Sequence, residues 1–305
     1  MYLGKDSMQK NYIKILDLTH SKLSKQVKQI DFTKNISFGK QEEISWNGTF
    51  NNMRGLLIYP NNYKENKKYG LIVNVHGGGP SATISMYASV QIPSPLIWHL
   101  WANNHQCIIF VPEFGAIYDN NVITIEMNKK NNLLISDIQD IESGVDYLIK
   151  KDIVDKNKLI AIGGSAGSAR VNLLPVISQR YKAIISVDGW IEDKDYMEQV
   201  EKLVKKDNHP IKKWGTVKNN PEIFLRQSVF EFIDRVKTPI LFIVCNTKLG
   251  GIDQNDSLKQ YHKMLKDRNI ETEYIYLKDE GHVITKPKNI KLVLNRITKW
   301  INKFI

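Results

Sequence analysis

Hydrophobic and polar positions change their rhythm partway along the chain. Up to about residue 60, apolar residues come in short, partly alternating runs. Tyr12-Ile13-Lys14-Ile15-Leu16-Asp17-Leu18 is one. Glu43-Ile44-Ser45-Trp46, before a turn at Asn47-Gly48, is a second. Met53 to Tyr59, stopped by Pro60, is a third. Alternation of period two between turn residues predicts strands. Beyond Tyr69 the apolar runs become nearly continuous: Leu71–Val75, Cys107–Val111, Leu159–Ile162, Ala183–Val187, Ile240–Cys245 and Glu273–Leu277. Such runs mark strands buried on both faces, as in a parallel sheet.

Between these runs the spacing turns helical. Leu134, Ile138, Ile141, Val145 and Leu148 line one face of a helix over 133–150. Helices are also expected over 92–104, 166–180 and 258–268. An amphipathic helix, marked by Ile290, Val293, Leu294, Ile297, Trp300, Ile301 and Phe304, closes the chain. Strands alternating with helices predict an α/β protein with a mainly parallel sheet covered on both faces. The stretch from Asp188 to Lys237 carries no clear strand pattern. It is expected to form a cap-like excursion over the C-terminal edge of the sheet, where open α/β sheets place their sites.

Composition narrows the class. The chain has 305 residues, 42% hydrophobic and 25% charged, which excludes disorder as its main state. The longest apolar runs fall far short of a membrane-spanning helix. Met1 to Asp6 shows no apolar core behind a basic start, so a cytoplasmic protein is expected. The two cysteines, Cys107 and Cys245, lie inside apolar runs and read as buried thiols, giving neither a disulfide framework nor a metal site. The net charge of +11 is unusual. Its lysines are scattered, without a long basic run or an aromatic RNA-binding signature, so neither nucleic acid nor membrane is expected as a partner. The excess is concentrated early: residues 1–70 hold twelve Lys or Arg against six Asp or Glu.

Three motifs carry chemistry. Gly163-Gly164-Ser165-Ala166-Gly167 matches G-x-S-x-G between a strand and a helix. That context places a nucleophilic serine on a sharp turn, with small neighbours that let the flanking chains approach. His76-Gly77-Gly78-Gly79-Pro80 follows the Leu71–Val75 strand. Its unobstructed N–H groups can face an oxyanion together with the Ala166 N–H. His282, in Asp279-Glu280-Gly281-His282 beyond the last strand, is placed to act as general base and acid. His20, His99, His105, His209 and His262 lack this placement and read as surface or packing residues. The order Ser, acid, His requires the acid between them. Asp253, after the Ile240–Cys245 strand and the Gly250-Gly251 pair, is the first choice and Asp256 the second.

Taken together these segments resemble the catalytic domain of the prolyl oligopeptidase family of serine peptidases, which includes dipeptidyl- and acylaminoacyl-peptidases. The resemblance runs from about Glu42 to the C-terminus. It is carried by Glu43–Trp46, Gly55–Pro60, the His76–Pro80 loop, Asp137–Asp140, Gly144–Ile149, the Ser165 turn, Thr238–Leu241 and Glu280–His282. It implies an α/β-hydrolase fold over 42–305 behind a β-rich leader at 1–41. It further implies Ser165 as nucleophile, His282 as base, and the Gly78 and Ala166 N–H groups as oxyanion hole, with no metal or cofactor. The family's nucleophile is usually followed by an aromatic residue and two glycines, where this chain has Ala166-Gly167-Ser168. Its acid usually lies a few residues past the strand, which here is Lys248 or Leu249. An arginine-and-glycine loop of the family is replaced by Pro112-Glu113-Phe114-Gly115. Family members usually carry an N-terminal β-propeller, for which this sequence has no room. Tyr12–Leu18 then reads as a strand left from a last blade, and the chain as a truncated or natural short form.

The expectation is a serine hydrolase that cleaves short peptides through an acyl-enzyme on Ser165. A carboxylesterase of the same fold and a non-catalytic module binding an anionic partner are the alternatives. Assembly into a homo-oligomer is left open.

Overall fold

The computed structural model describes residues 2–5, 11–17, 22–27, 37–48, 52–77, 95–114, 133–203, 216–249, 252–253 and 255–305. Three short strands, β1 (Tyr2–Lys5), β2 (Asn11–Asp17) and β3 (Lys22–Val27), pair antiparallel in that order. β2 coincides with the strand expected at Tyr12–Leu18.

The main sheet has eight strands. They are β4 (Gln41–Asn47), β5 (Asn52–Ile58), β6 (Tyr69–Val75), β7 (Cys107–Pro112), β8 (Val154–Gly164), β9 (Ala183–Val187), β10 (Ile240–Cys245) and β13 (Thr272–Leu277). Their spatial order is β4-β5-β7-β6-β8-β9-β10-β13. β4, β5 and β7 pair antiparallel, and every pair from β7 to β13 is parallel. Burial follows the residue pattern. β4 alternates, with Ile44 and Trp46 buried and Glu43 and Ser45 exposed, whereas β6, β7, β9 and β10 are buried at every position. A two-stranded hairpin, β11 (Lys248–Leu249) and β12 (Ile252–Asp253), follows β10.

The longer helices cover the two faces. α2 (Leu133–Lys150), α3 (Ala166–Ile177) and α6 (Asn255–Asp267) pack on one side through Ile138, Ile141, Val145, Val171, Leu174, Leu258 and Tyr261. α1 (Pro95–His105) and α7 (Pro287–Phe304) pack on the other through Trp98, Trp101, Val293, Ile297, Trp300 and Ile301. Alternate residues of one strand serve opposite faces: Leu71, Val73 and Val75 join the first cluster and Ile72 the second. This is the α/β-hydrolase arrangement expected from the sequence.

Several boundaries differ from the sequence reading. α1 is described from Pro95, a residue suited to the first helical turn because it needs no N–H partner there, and the expected start at Ile92 lies outside the described residues. α3 stops at Ile177, short of the expected Arg180: Pro175 weakens the last turn and Ser178 is already extended. The described part of the 188–237 excursion carries α4 (Lys194–Leu203), α5 (Pro221–Leu225) and a 3-10 turn at Ile233–Arg235, joined by turns, and no strand. Among the described residues no helix is long and apolar enough to cross a membrane.

The parallel strands β6, β8, β9 and β10 all end at the same edge, at Val75, Gly164, Val187 and Cys245. The site is built there.

Candidate active site

The turn from β8 into α3 holds Ser165 at φ 55°, ψ −125°. A non-glycine residue in such a conformation carries backbone strain of about 1–3 kcal/mol, which surrounding contacts must sustain. Here the Ser165 N–H donates to Val187 O at 3.0 Å, and Ser165 O accepts the Ser168 N–H at 2.9 Å. The glycines of the motif are required by contact. A Cβ on Gly163 would lie 2.4 Å from Gly167 O, and one on Gly167 would lie 2.0 Å from Val75 O. Gly77 passes directly over the serine, since a Cβ there would stand 2.7 Å from Ser165 Cβ. Ala166 is the first residue of α3, so its N–H has no carbonyl one turn back within the helix.

His282, on the loop between β13 and α7, reaches the serine from the other side. Its Nε2 stands 2.9 Å from Ser165 Oγ. Its Nδ1 stands 2.6 Å from Asp188 Oδ2. A carboxylate accepts, so Nδ1 carries the proton and Nε2 is left to accept from the serine hydroxyl.

Asp188 was not anticipated. It directly follows β9, at φ 42°, a left-handed conformation that aspartate tolerates better than most residues. Its N–H donates to Ile243 O at 2.7 Å, and its second carboxylate oxygen, Oδ1, accepts the Cys245 N–H at 2.8 Å. Gly189 lets the chain leave: a Cβ there would meet Ser168 Cβ at 2.1 Å and Ser165 O at 2.6 Å. The recognisable signal was an aspartate at the end of the strand beside the nucleophile strand, followed by a glycine.

The structure does not bring Asp253 to His282. Asp253 is exposed on β12, pairs with Lys248 across the hairpin, and accepts the Asn255 N–H at 2.9 Å as α6 begins. The hairpin turns this residue to the solvent side, and Asp188 occupies His282 Nδ1. Asp256 lies in the first turn of α6, 95% exposed, with Lys259 as its ionic neighbour at 4.0 Å. Gly78 lies outside the described residues, as do His20 and His209. His99, His105 and His262 pair away from Ser165, with Gln41, Asn302 and Thr272 respectively.

A polar frame backs the serine. Arg170 on α3 donates to Asp137 Oδ2 at 2.8 Å and to Ala166 O at 2.7 Å, and lies over the Phe114 ring. His76 stacks on that ring, and burial holds its pKa below the ordinary histidine value. The Ser168 and Ser186 hydroxyls share a hydrogen bond of 2.5 Å, and Asn172 donates to Ser168 Oγ and to Trp190 O. Glu192, just beyond, has its carboxyl pushed up to about 7, chiefly by burial and against the pull of Arg170. Among the described residues, no group of three or more His, Cys, Asp or Glu side chains converges as metal ligands would.

Several known proteins resemble this chain in sequence or in fold. Dipeptidyl-peptidase 5 of Aspergillus fumigatus is 23% identical over 269 residues, covering 86% of this chain and 35% of the relative. Dipeptidyl-peptidase 5 of Porphyromonas endodontalis is 25% identical over 278 residues, 86% of this chain and 37% of the relative. The chain thus spans little more than a third of the length of these curated relatives. Among solved structures, acylaminoacyl peptidase of Pyrococcus horikoshii superposes with a TM-score of 0.72 at 19% identity, over 99% of this chain and 47% of that one. A puromycin-hydrolyzing peptidase of Mycobacterium tuberculosis gives 0.77 at 16%, over 99% and 45%. The model of the prolyl oligopeptidase family matches residues 126–305, more than half of the chain and the part that holds Ser165, Asp188 and His282. By that match the chain belongs to the prolyl oligopeptidase family of serine peptidases.

Proposed function

We propose that this domain is a serine peptidase working through a Ser165–His282–Asp188 triad. One observation carries the reading: the unbroken line from Asp188 Oδ2 to His282 Nδ1 and from His282 Nε2 to Ser165 Oγ, at 2.6 and 2.9 Å. Ser165 Oγ attacks an acyl carbonyl while His282 Nε2 takes its proton. Asp188 holds the ring in the required tautomer and offsets the imidazolium charge. The oxyanion forms beside the N-terminus of α3, where the Ala166 N–H and the helix dipole favour negative charge. His282 then gives its proton to the leaving amine. A water molecule, deprotonated in the same way, releases the acyl group and restores Ser165.

The substrate class we infer is a short peptide or aminoacyl amide. The names of the relatives, dipeptidyl-peptidase and puromycin-hydrolyzing peptidase, support it. The non-catalytic alternative is motivated by Lys248 near the acid position of the family and by the net charge of +11. Lys248 lies on β11 opposite Asp253, while the carboxylate against His282 comes from another strand. A cytoplasmic location belongs to the same reading. It is supported by two buried, unpaired thiols and is tested by cell fractionation.

The experiment is hydrolysis of dipeptidyl and aminoacyl coumarin amides beside p-nitrophenyl esters, for the wild type and Ser165→Ala. Amide turnover that vanishes with Ser165→Ala supports a peptidase. Turnover of esters alone favours the carboxylesterase, and no turnover of either contradicts both.

A further inference from the structure

His282 acts from a loop, with about a third of its side chain exposed. The preceding Gly281 is in open space, with no atom within 4 Å of where its Cβ would be. Asp188 holds the ring at Nδ1, but the loop that carries His282 must itself be fixed from elsewhere for the ring to stay in place for proton transfer.

Glu280 is the group in place to do so. It is 4% exposed, and both oxygens of its carboxylate are occupied. Oε1 accepts the Lys286 N–H at 2.9 Å and Asn289 Nδ2 at 2.8 Å. Oε2 accepts the Thr285 N–H at 3.1 Å and the Thr285 hydroxyl at 3.3 Å. The carboxylate thus sits on the N-terminus of α7, favoured there by the helix dipole, and closes residues 280–286 into a ring that carries His282. Burial acts to raise its pKa, but the hydrogen bonds from Asn289, Thr285 and Lys286 prevail and keep the carboxyl below its ordinary value.

The main chain of Glu280 makes a second connection. Its carbonyl accepts the Asn246 N–H at 3.1 Å. The residue before Asn246 is Cys245, whose N–H holds Asp188 Oδ1. Two consecutive N–H groups at the end of β10 therefore hold the acid and the histidine loop. We propose that Glu280 is the positioning residue of His282. It anchors the histidine loop on α7 and on the β10 turn, so that acid and base share one frame. The proposal rests on the peptidase reading above.

The test is Glu280→Gln. The amide nitrogen of glutamine cannot accept from the Thr285 and Lys286 N–H groups, so at least one donor is left without its partner. The expected result is a kcat lowered about 10- to 100-fold with KM nearly unchanged, the size of effect a slight misplacement produces. Labelling of Ser165 by a fluorophosphonate should slow in proportion. Asn289→Ala, which removes one donor, should lower kcat less and leave KM alone, and it serves if Glu280→Gln does not fold. A variant with lowered melting temperature but wild-type kcat and labelling rate would overturn the proposal, as would a change confined to KM. Wild-type labelling separates the two claims. If wild-type Ser165 does not react, the peptidase reading fails. If it reacts, and both variants react equally fast, only the role of Glu280 fails.

Discussion

Asp188 Oδ1 accepts the Cys245 N–H at 2.8 Å, so the carboxylate that follows β9 is clamped by the backbone end of β10. The other oxygen meets His282 Nδ1 at 2.6 Å. The family pattern expects the acid itself in the loop after β10. In this chain the position in space is served by that strand's backbone, while the carboxylate arrives from one strand earlier. The order serine, acid, histidine along the chain is kept. The loop after β10 is left free to form the β11–β12 hairpin.

The clamp uses the backbone of Cys245, not its sulfur. The Cys245 thiol is buried, and burial first, then the nearby Asp188 charge, pushes its pKa well above the ordinary value; burial does the same for Cys107. Neither thiol should react with iodoacetamide in the native protein. Mass spectrometry after native alkylation should find both unmodified, with full reaction only in denaturant.

The glycines around Ser165 are set by contact with backbone. Gly167→Ala forces a Cβ against Val75 O, and Gly189→Ala forces one against Ser168 and Ser165 O. Each should cost about 1–3 kcal/mol or more, as overpacking does. Each should also depress kcat, because the strained turn shifts. Denaturant titration with parallel assays checks this; a variant of wild-type stability and activity would contradict the packing described.

Glu192 gives a pH signature. Its carboxyl is raised from 4.5 to about 7, first by burial, with Arg170 opposing. Between those values the folded state keeps a proton that the unfolded chain releases. Its contribution is therefore present below about pH 4.5 and is lost as pH rises through about 7. Glu192→Gln should flatten that part of the dependence. Melting temperatures at pH 5 and pH 8 should differ less in the variant than in the wild type.

Most of the frame was legible in the residues. Continuous apolar runs announced the parallel strands, and the spacing of Ile138, Ile141, Val145 and Leu148 announced α2. Ser165 was legible because a strand-to-helix turn admits few sequences. His282 was legible because it follows the last strand. Asp188 was not, for a physical reason. It stands at the end of an apolar strand and runs straight into Gly189-Trp190-Ile191, so only the aspartate–glycine step marks it. Its partner in the clamp is a backbone N–H, which leaves no mark in sequence. Asp253 attracted attention by lying in a polar, glycine-containing loop, but that loop is a hairpin that turns it to solvent. Glu280 carried a visible motif, yet its four hydrogen-bond donors on Thr285, Lys286 and Asn289 come together only in the fold.

The most direct measurement compares Asp188→Asn with Asp253→Asn in kcat/KM for the best amide substrate, with Ser165 labelling followed in parallel. The account predicts a loss of about 10³- to 10⁴-fold for Asp188→Asn, as when the acid of a triad is neutralised, in a protein that stays folded. Asp253→Asn should stay within a few-fold of the wild type. A fully active Asp188→Asn, or a collapse of activity in Asp253→Asn, would contradict the triad assigned to this site.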